Sequence, residues 1–342
     1  MQLVEFSSLS TLTISLLKML LITLATFVVG LVLLALGGDR FVLGSEAIAK
    51  NLRLPPIVIG LTVAGFATSA PEMLISAIAS AGGNPSLALG NAVGSNIANI
   101  GLVLGVAALI QPLTLRSTAI RQQLLALFLI TILAVPLFFD GFLSRNDGYI
   151  LLASLFPLTA LLVVLSLRSK QPNSAHTAIA TSSSGDMGTP KAVMWLTIGL
   201  TLMLFGADLL VDGAETLARA IGISDLVIGL TMVAVGTSLP ELAVAIAGVL
   251  KHKYDLVIGN IIGSNIFNLL AVIGIAGAIE PHELDSRVLE LDYPVMAGFT
   301  LVLFMLAYNQ RKKQVISRLV GGILLVAFFV YHGSMAWNIF ST

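Results

Sequence analysis

Long apolar stretches alternate with short polar ones along the whole chain. A run of about 20 apolar residues is long enough for a helix to cross a lipid bilayer. The pattern therefore predicts an all-α membrane protein with ten transmembrane helices, at about residues 12–36, 55–80, 86–110, 118–138, 148–167, 192–216, 225–250, 256–279, 291–309 and 317–338. Lys18 interrupts the first run and no cleavage site follows it, so we interpret that run as a span rather than a signal peptide.

The composition agrees with a chain built for lipid. Of its 342 residues, 57% are hydrophobic and 11% are charged, whereas soluble domains carry about 25% charged residues. The absence of cysteine excludes disulfides, thiolate metal sites and cysteine nucleophiles. The four histidines do not show the spacing of metal ligands. The net charge of zero does not indicate nucleic-acid binding, and the sequence has no basic, aromatic-rich face that would suggest it. We expect no cofactor, and the sequence leaves the oligomeric state open.

The lysines and arginines gather on one side of the predicted spans. If the loops after spans 1, 3, 5, 7 and 9 share a side, that side carries 13 basic residues and the opposite side carries 4. Basic residues favour the cytoplasmic side of a membrane. This distribution predicts that both termini lie outside.

The chain repeats itself at an offset of 169 residues. "GLTVAGFATSAPE" aligns with "GLTMVAVGTSLPE" and "GNAVGSNIANIGLVLG" with "GNIIGSNIFNLLAVIG", and 17 of the 46 positions from 60–105 are identical in 229–274. Five predicted spans separate each residue from its copy, so the second copy enters the membrane from the opposite face. Such inverted repeats are typical of secondary transporters, whose substrate sites lie between the repeats.

The repeat predicts two halves of five helices each. We expect the first half to cover 1–167 and the second 192–342. The intervening 168–191 is rich in Ser, Thr and Gly, which predicts a flexible cytoplasmic linker.

Two carboxylates lie deep in the apolar runs, and they are copies of each other. Glu72 and Glu241 each follow a Thr-Ser-x-Pro sequence. An ionised group costs about 3 kcal/mol or more at the centre of a membrane, so functional roles are the first expectation for such residues. The alternatives are buried neutral acids, or a proline kink healed by Ser and Thr hydroxyls.

The neighbouring residues supply further oxygen atoms. The first copy places Thr68 and Ser69 beside Glu72, and the proline frees a backbone carbonyl one turn back; Thr237 and Ser238 repeat this. On spans 3 and 8, polar stripes at i, i+4 and i+8 consist of Asn91, Ser95, Asn99, Asn260, Ser264 and Asn268. Such hard oxygen donors suit Na⁺ and Ca²⁺. Two carboxylates would neutralise one Ca²⁺ or two Na⁺, and alternate exposure of one shared site would produce exchange.

The two motifs resemble those of the calcium/cation antiporter superfamily, specifically the sodium/calcium exchangers and their bacterial relatives. The family's inverted α-repeats each carry a T-S-x-P-E core and a later G-N-x-x-G-S-N, and both stand here in full. The resemblance implies Na⁺/Ca²⁺ exchange in the bacterial inner (plasma) membrane, a gate formed by spans 1 and 6, and ligands on spans 2, 3, 7 and 8. The implied ligands are the side chains of Glu72, Glu241, Thr68, Ser69, Thr237, Ser238, Ser95 and Ser264 and the carbonyls of Gly65 and Ala234.

One position departs from part of the family. Some members carry an aspartate where Asn268 stands, and in the potassium-coupled branch that aspartate accompanies K⁺ dependence. Its absence argues against K⁺ co-transport and leaves the stoichiometry open.

Three other functions remain open at this point. Desolvation disfavours an ionised carboxylate, so protons could compete for Glu72 and Glu241 in an H⁺-coupled Ca²⁺ antiporter. A channel is disfavoured because no open polar stripe runs through every span. The sequence offers no HExxH and no Ser/His or Ser/Lys pair at the membrane centre, so we do not expect an enzyme.

Overall fold

The structure is a computed structural model that describes residues 2–115, 117–169, 187–220, 235–308 and 314–341. Side chains are described within these ranges from residue 21 to residue 334, except at 214, 215 and 217–220. The first part of predicted span 7, with Ala234, and most of the predicted linker lie outside the described residues.

Helices occur at all ten predicted positions. They are α1 (Gln2–Asn51), α2 (Pro56–Ala81), α3 (Pro85–Ile110), α4 (Thr118–Phe138), α5 (Arg145–Arg168), α6 (Thr189–Ala220), α7 (Leu239–Leu250), α8 (Tyr254–Ile279), α9 (Val288–Tyr308) and α10 (Arg318–Ser341). Among the described residues, eight are long and apolar enough to cross a membrane, and α7 and α10 provide shorter apolar segments. The fold is that of an all-α membrane protein, as predicted.

Helix α1 extends well beyond the predicted end of the first span at residue 36. Its polar C-terminal half remains helical because it packs inside the protein: Phe41, Val42 and Ser45 are fully buried. Hydropathy alone could not show this, because it cannot distinguish polar residues covered by protein from those in a loop.

Several helices contain irregular turns that repeat at the 169-residue offset. The helical path of α2 breaks at Ser69 (φ −87°, ψ 1°), and Ser238 precedes α7 with almost the same angles (φ −87°, ψ 0°). Wider π-helical turns occupy Asn99–Val103 in α3 and Asn268–Val272 in α8. Irregular turns also occur at Gly60–Ala64, whose copy lies outside the described residues, and at Val135–Phe138 and Val288–Asp292, whose copies are regular helix.

Four short strands, which the hydrophobic pattern did not predict, join the loops in pairs. β1 (Leu113–Thr114) pairs antiparallel with β4 (Val315–Ile316), and β2 (Phe142–Leu143) pairs antiparallel with β3 (His282–Glu283). The loops after α3 and α9 therefore meet on one side, and those after α4 and α8 meet on the other. This agrees with the alternation of sides used to count the basic residues.

The contact between α1 and α6 shows how the two halves are related. A Cβ atom added to Gly37 would lie 2.7 Å from the carbonyl oxygen of Gly199, and one added to Gly30 would lie 2.8 Å from that of Gly206. Gly199 and Gly206 are the copies of Gly30 and Gly37, so the contact is two-fold symmetric and the helices run antiparallel. The halves are therefore inverted copies of each other, as predicted.

Helices α3 and α8 form the centre of the molecule. In the most apolar stretch of α8, 100% of the residues are buried, whereas in the most apolar stretch of α5 only 22% of the residues are buried. Gly259 and Gly263 allow close packing of α8 on α2, since added Cβ atoms would lie 2.6 Å and 2.5 Å from the carbonyl oxygens of Ile57 and Leu61. Gly90, the copy of Gly259, meets no described atom within 4 Å.

We predict that Gly37→Ala will destabilise the protein because the new methyl group would collide with the Gly199 carbonyl and with Met203. Overpacking of this kind costs about 1–3 kcal/mol, which a thermal melt in detergent would detect. Gly213→Ala is the matched control, since its nearest described atom, Thr26 Oγ1, would be 3.5 Å away. Equal melting temperatures for the two variants would contradict the close α1–α6 contact.

Candidate cation-binding site

Glu72 and Glu241 lie at the centre of the protein, and both are 0% exposed. Each occupies the first turn of a twelve-residue helical segment that begins directly after a serine break, Ala70–Ala81 for Glu72 and Leu239–Leu250 for Glu241. The N-terminus of a helix carries a partial positive charge that favours carboxylates. The distortion that the prolines predicted is therefore a complete break in the helix, and each glutamate lies at the N-terminal end of the segment that follows the break.

Glu241 contacts hydroxyl groups from both halves. Its Oε1 atom accepts from Ser264 Oγ at 3.2 Å and from Ser69 Oγ at 3.5 Å. Glu72 interacts electrostatically with Glu241 and lies near Thr237. The two repeats therefore face each other, as the inverted repeat predicted.

The threonines connect the halves in the same crossed manner. Thr68 Oγ1 lies 3.3 Å from both Asn260 Oδ1 and Ser264 Oγ of the second half, and 3.1 Å from the Ala64 carbonyl oxygen. Its copy Thr237 lies 3.3 Å from Asn91 Oδ1 and 3.4 Å from Ser95 Oγ of the first half. Hydroxyl and amide oxygens from four helices converge around the carboxylates.

Several buried oxygen atoms have no hydrogen-bond donor. Within the described part of the chain, both carboxylate oxygens of Glu72, Oε2 of Glu241, Oδ1 of Asn99 and both polar atoms of Asn268 are unpartnered. None of the ion pairs formed by described residues involves either glutamate. Buried carboxylates without a cationic partner are costly, so this arrangement suits a bound cation.

The remaining predicted ligands are Gly65, Ser238 and Ala234. The carbonyl oxygen of Gly65 accepts the Ser69 N–H at 3.1 Å, and this leaves it one further lone pair. Ser238 is buried at the mirror position of Ser69. Ala234 lies outside the described residues.

Sequence reasoning missed Asn96 and Asn265, which lie next to the site. They are copies of each other, and Asn96 Nδ2 donates to the backbone oxygen of Asn265 at 3.3 Å. Asn265 Oδ1 also accepts from Asn99 Nδ2 at 3.4 Å. Neither residue falls on the i, i+4, i+8 stripe, although the repeated G-S-N motif contains both.

Comparison with known proteins identifies the fold and the family. The profile of a family described as "Sodium/calcium exchanger protein" matches residues 22–166 and 191–337. The chain belongs to the sodium/calcium exchanger family. As a member of that family, it is a cation antiporter of the membrane.

Individual relatives align with almost the whole length of the chain. It is 42% identical over 303 residues to "Putative antiporter CaxA" of Alkalimonas amylolytica, covering 89% of this chain and 95% of the relative. It is 37% identical to "Inner membrane protein YrbG" of Escherichia coli (strain K12), covering 93% and 98%. A crystal structure of the sodium-calcium exchanger NCX_Mj soaked with Na⁺ and Sr²⁺ superimposes with a TM-score of 0.78 at 35% identity, covering 92% and 99%.

We predict that Glu72→Gln will raise the melting temperature of the exchanger in buffer free of Na⁺ and Ca²⁺. The substitution preserves the volume and removes a buried charge that no described cation balances, so a gain of about 2–5 °C is expected. Glu290→Gln, on an exposed residue, is the control. A lower melting temperature for Glu72→Gln would mean that the glutamate has a structural role.

Proposed function

We propose that the protein exchanges Ca²⁺ for Na⁺ across the membrane by alternating access, with the ions bound between the two repeats. The observation that carries this proposal is the pair of fully buried glutamates, one from each half, with unpartnered oxygen atoms. A cation held between them would bind both halves at once.

The charge and the donor atoms match these ions. Two ionised carboxylates carry −2, which one Ca²⁺ or two Na⁺ would balance. Calcium takes six to eight oxygen ligands, about 2.3–2.6 Å away, and the surrounding hydroxyl and amide groups supply oxygens in addition to the carboxylates. The proposed ligands are the side chains of Glu72, Glu241, Thr68, Ser69, Thr237, Ser238, Ser95, Ser264, Asn99 and Asn268, with the carbonyls of Gly65 and Ala234.

Sodium is the favoured coupling ion because much of the site consists of neutral oxygen donors. A proton needs only a carboxylate, whereas Na⁺ needs several oxygens around it, and the Thr68 and Thr237 clusters provide them. The name of the superimposed exchanger, NCX_Mj, supports the same choice, since it is described as a sodium-calcium exchanger.

We also propose that the exchanger lies in a bacterial inner membrane with both termini outside. The Escherichia coli relative is named an inner membrane protein. The side that holds the loops after α1, α7 and α9 carries most of the basic residues, which favours a cytoplasmic location for that side.

The proposal can be tested with purified protein in liposomes loaded with Na⁺ and diluted into Na⁺-free buffer containing radioactive calcium. We expect calcium uptake that requires internal Na⁺ and that Glu72→Gln and Glu241→Gln abolish, because each removes half of the site's charge. Glu290→Gln is the matched control and should transport normally.

A parallel set of liposomes carries a pH gradient in place of the Na⁺ gradient. Uptake driven only by the pH gradient would assign the site to H⁺-coupled exchange and overturn the choice of sodium. Uptake without either gradient, or normal transport by both glutamine variants, would overturn the shared site itself.

A further inference from the structure

Asn265 lies beside the site and holds one end of a neighbouring amide side chain. Asn265 Oδ1 accepts a hydrogen bond from Asn99 Nδ2 at 3.4 Å, and both side chains are at most 1% exposed. The backbone oxygen of Asn265 accepts from Asn96 Nδ2 at 3.3 Å, which fixes α8 against α3 at this level.

When the nitrogen of an amide side chain donates a hydrogen bond to one neighbour, the oxygen of the same side chain points away from that neighbour. Asn99 Oδ1 is buried and meets no donor among the described residues. Its copy Asn268 differs, because neither of its polar atoms is held by a described residue and Asn96 donates elsewhere. Only one of the two equivalent amides is therefore oriented before an ion arrives.

We propose that Asn265 is a positioning residue that presents the oxygen of Asn99 to the transported cation. This inference rests on the proposed exchange function. An amide already oriented loses less rotational freedom on binding, and its N–H groups are kept away from the positive ion. Asn265 thus acts on the ion through Asn99 rather than by touching it.

A double-mutant cycle on calcium uptake tests this role. Asn265→Ala and Asn99→Ala are each expected to raise the KM for Ca²⁺ several-fold with little change in kcat. The double variant should show no further increase, because the two residues act as a unit. Ser76→Ala is the matched control, since buried Ser76 also bonds across the halves, donating to the Val272 carbonyl oxygen at 2.7 Å, but orients no amide of the site. It should leave KM within about twofold of wild type.

A second variant keeps the test informative if Asn265→Ala does not fold. Asn265→Asp retains an acceptor for Asn99 Nδ2, so its KM should not rise. Additive effects of the Asn99 and Asn265 substitutions, or a raised KM in Asn265→Asp, would overturn the positioning role. The wild type in the same assay tests sodium/calcium exchange separately, so the two failures are distinguishable.

The two halves also differ in the ion pairs at their surface. Two ion pairs join the α7–α8 loop to α1: Lys251 Nζ lies 2.7 Å from Asp39 Oδ1, and Lys253 pairs with Glu46. The copies of Asp39 and Glu46 are also acidic, but the copies of the two lysines are Gly82 and Asn84. The first half therefore cannot form the equivalent pairs.

The packing of α1 shows the same asymmetry. Helix α1 covers α7, where a Cβ atom added to Gly38 would lie 2.6 Å from the Ala243 oxygen and Ala247 is 9% exposed. On α2, the corresponding residues Leu74 and Ile78 are 61% and 63% exposed. The two halves thus adopt different conformations around one site.

In an inverted repeat, the opposite-facing state arises when the halves exchange their conformations. Helix α6 would then cover α2, and matching ion pairs would require cations at residues 82 and 84. We infer that Lys251 and Lys253 stabilise the conformation in which α1 covers α7, relative to the opposite one. This rests on alternating access but not on the identity of the ions.

Spin labels on α1 and α7 can measure this bias, because the natural chain contains no cysteine. Labels at Leu36→Cys and Leu250→Cys, both exposed positions, report the α1–α7 distance distribution by pulsed electron resonance. In the Lys251→Gln/Lys253→Gln variant we expect the ratio of the short-distance to the long-distance population to fall roughly two- to tenfold, as expected for two partly exposed ion pairs.

The symmetry of the fold supplies the matched variant. Gly82→Lys/Asn84→Lys, which adds the lysines to the first half, should also enlarge the long-distance population, but by stabilising the opposite state. High salt should weaken both effects. Unchanged distance distributions in both variants would overturn the inference.

Discussion

Two carboxyl groups share a core in which the described residues provide no balancing cation, and the rest of the architecture follows from that constraint. A carboxylate can remain there only if helix ends, hydroxyl groups and a mobile ion replace the water it has lost. The serine breaks before Glu72 and Glu241 supply the helix ends.

The same constraint explains why the helices must approach so closely. Ser69 reaches Glu241 and Thr68 reaches Ser264 across the boundary between the halves, so neither half can build the site alone. Such short side chains can meet only if the backbones almost touch, which the glycines of α2 and α8 permit: Gly65 packs against the backbone of Gly263, with an added Cβ only 3.0 Å away. The glycines therefore allow the contacts that the hydroxyl groups make between the two halves.

Much of this could be predicted from the sequence because the signals are strong and occur twice. Apolar runs located the helices, and the 169-residue offset located the inverted halves and the glutamates. The extension of α1, the short strands and the π-helical turns could not be predicted, because they depend on tertiary packing. Asn265 was missed because it lies off the i, i+4, i+8 stripe, and its contact with Asn99 is made across the two halves, which depends on tertiary packing.

Differences between the two copies distinguish the residues that the site requires from those that only maintain the fold. Around the glutamates the halves agree in the Thr-Ser-x-Pro-Glu sequence and in the crossed contacts of Thr68 and Thr237. At the periphery they diverge: buried Gln123 donates to Ser166 at 3.1 Å, while its copy Asp292 accepts from Tyr331 at 2.9 Å and lies 3.5 Å from Arg287 Nε. Each side chain makes at least one hydrogen bond in the core, so stability alone tolerates exchanging an amide for a carboxylate. Stability would equally have tolerated divergence at the centre, so the agreement there supports the proposal that both halves contact the same ion.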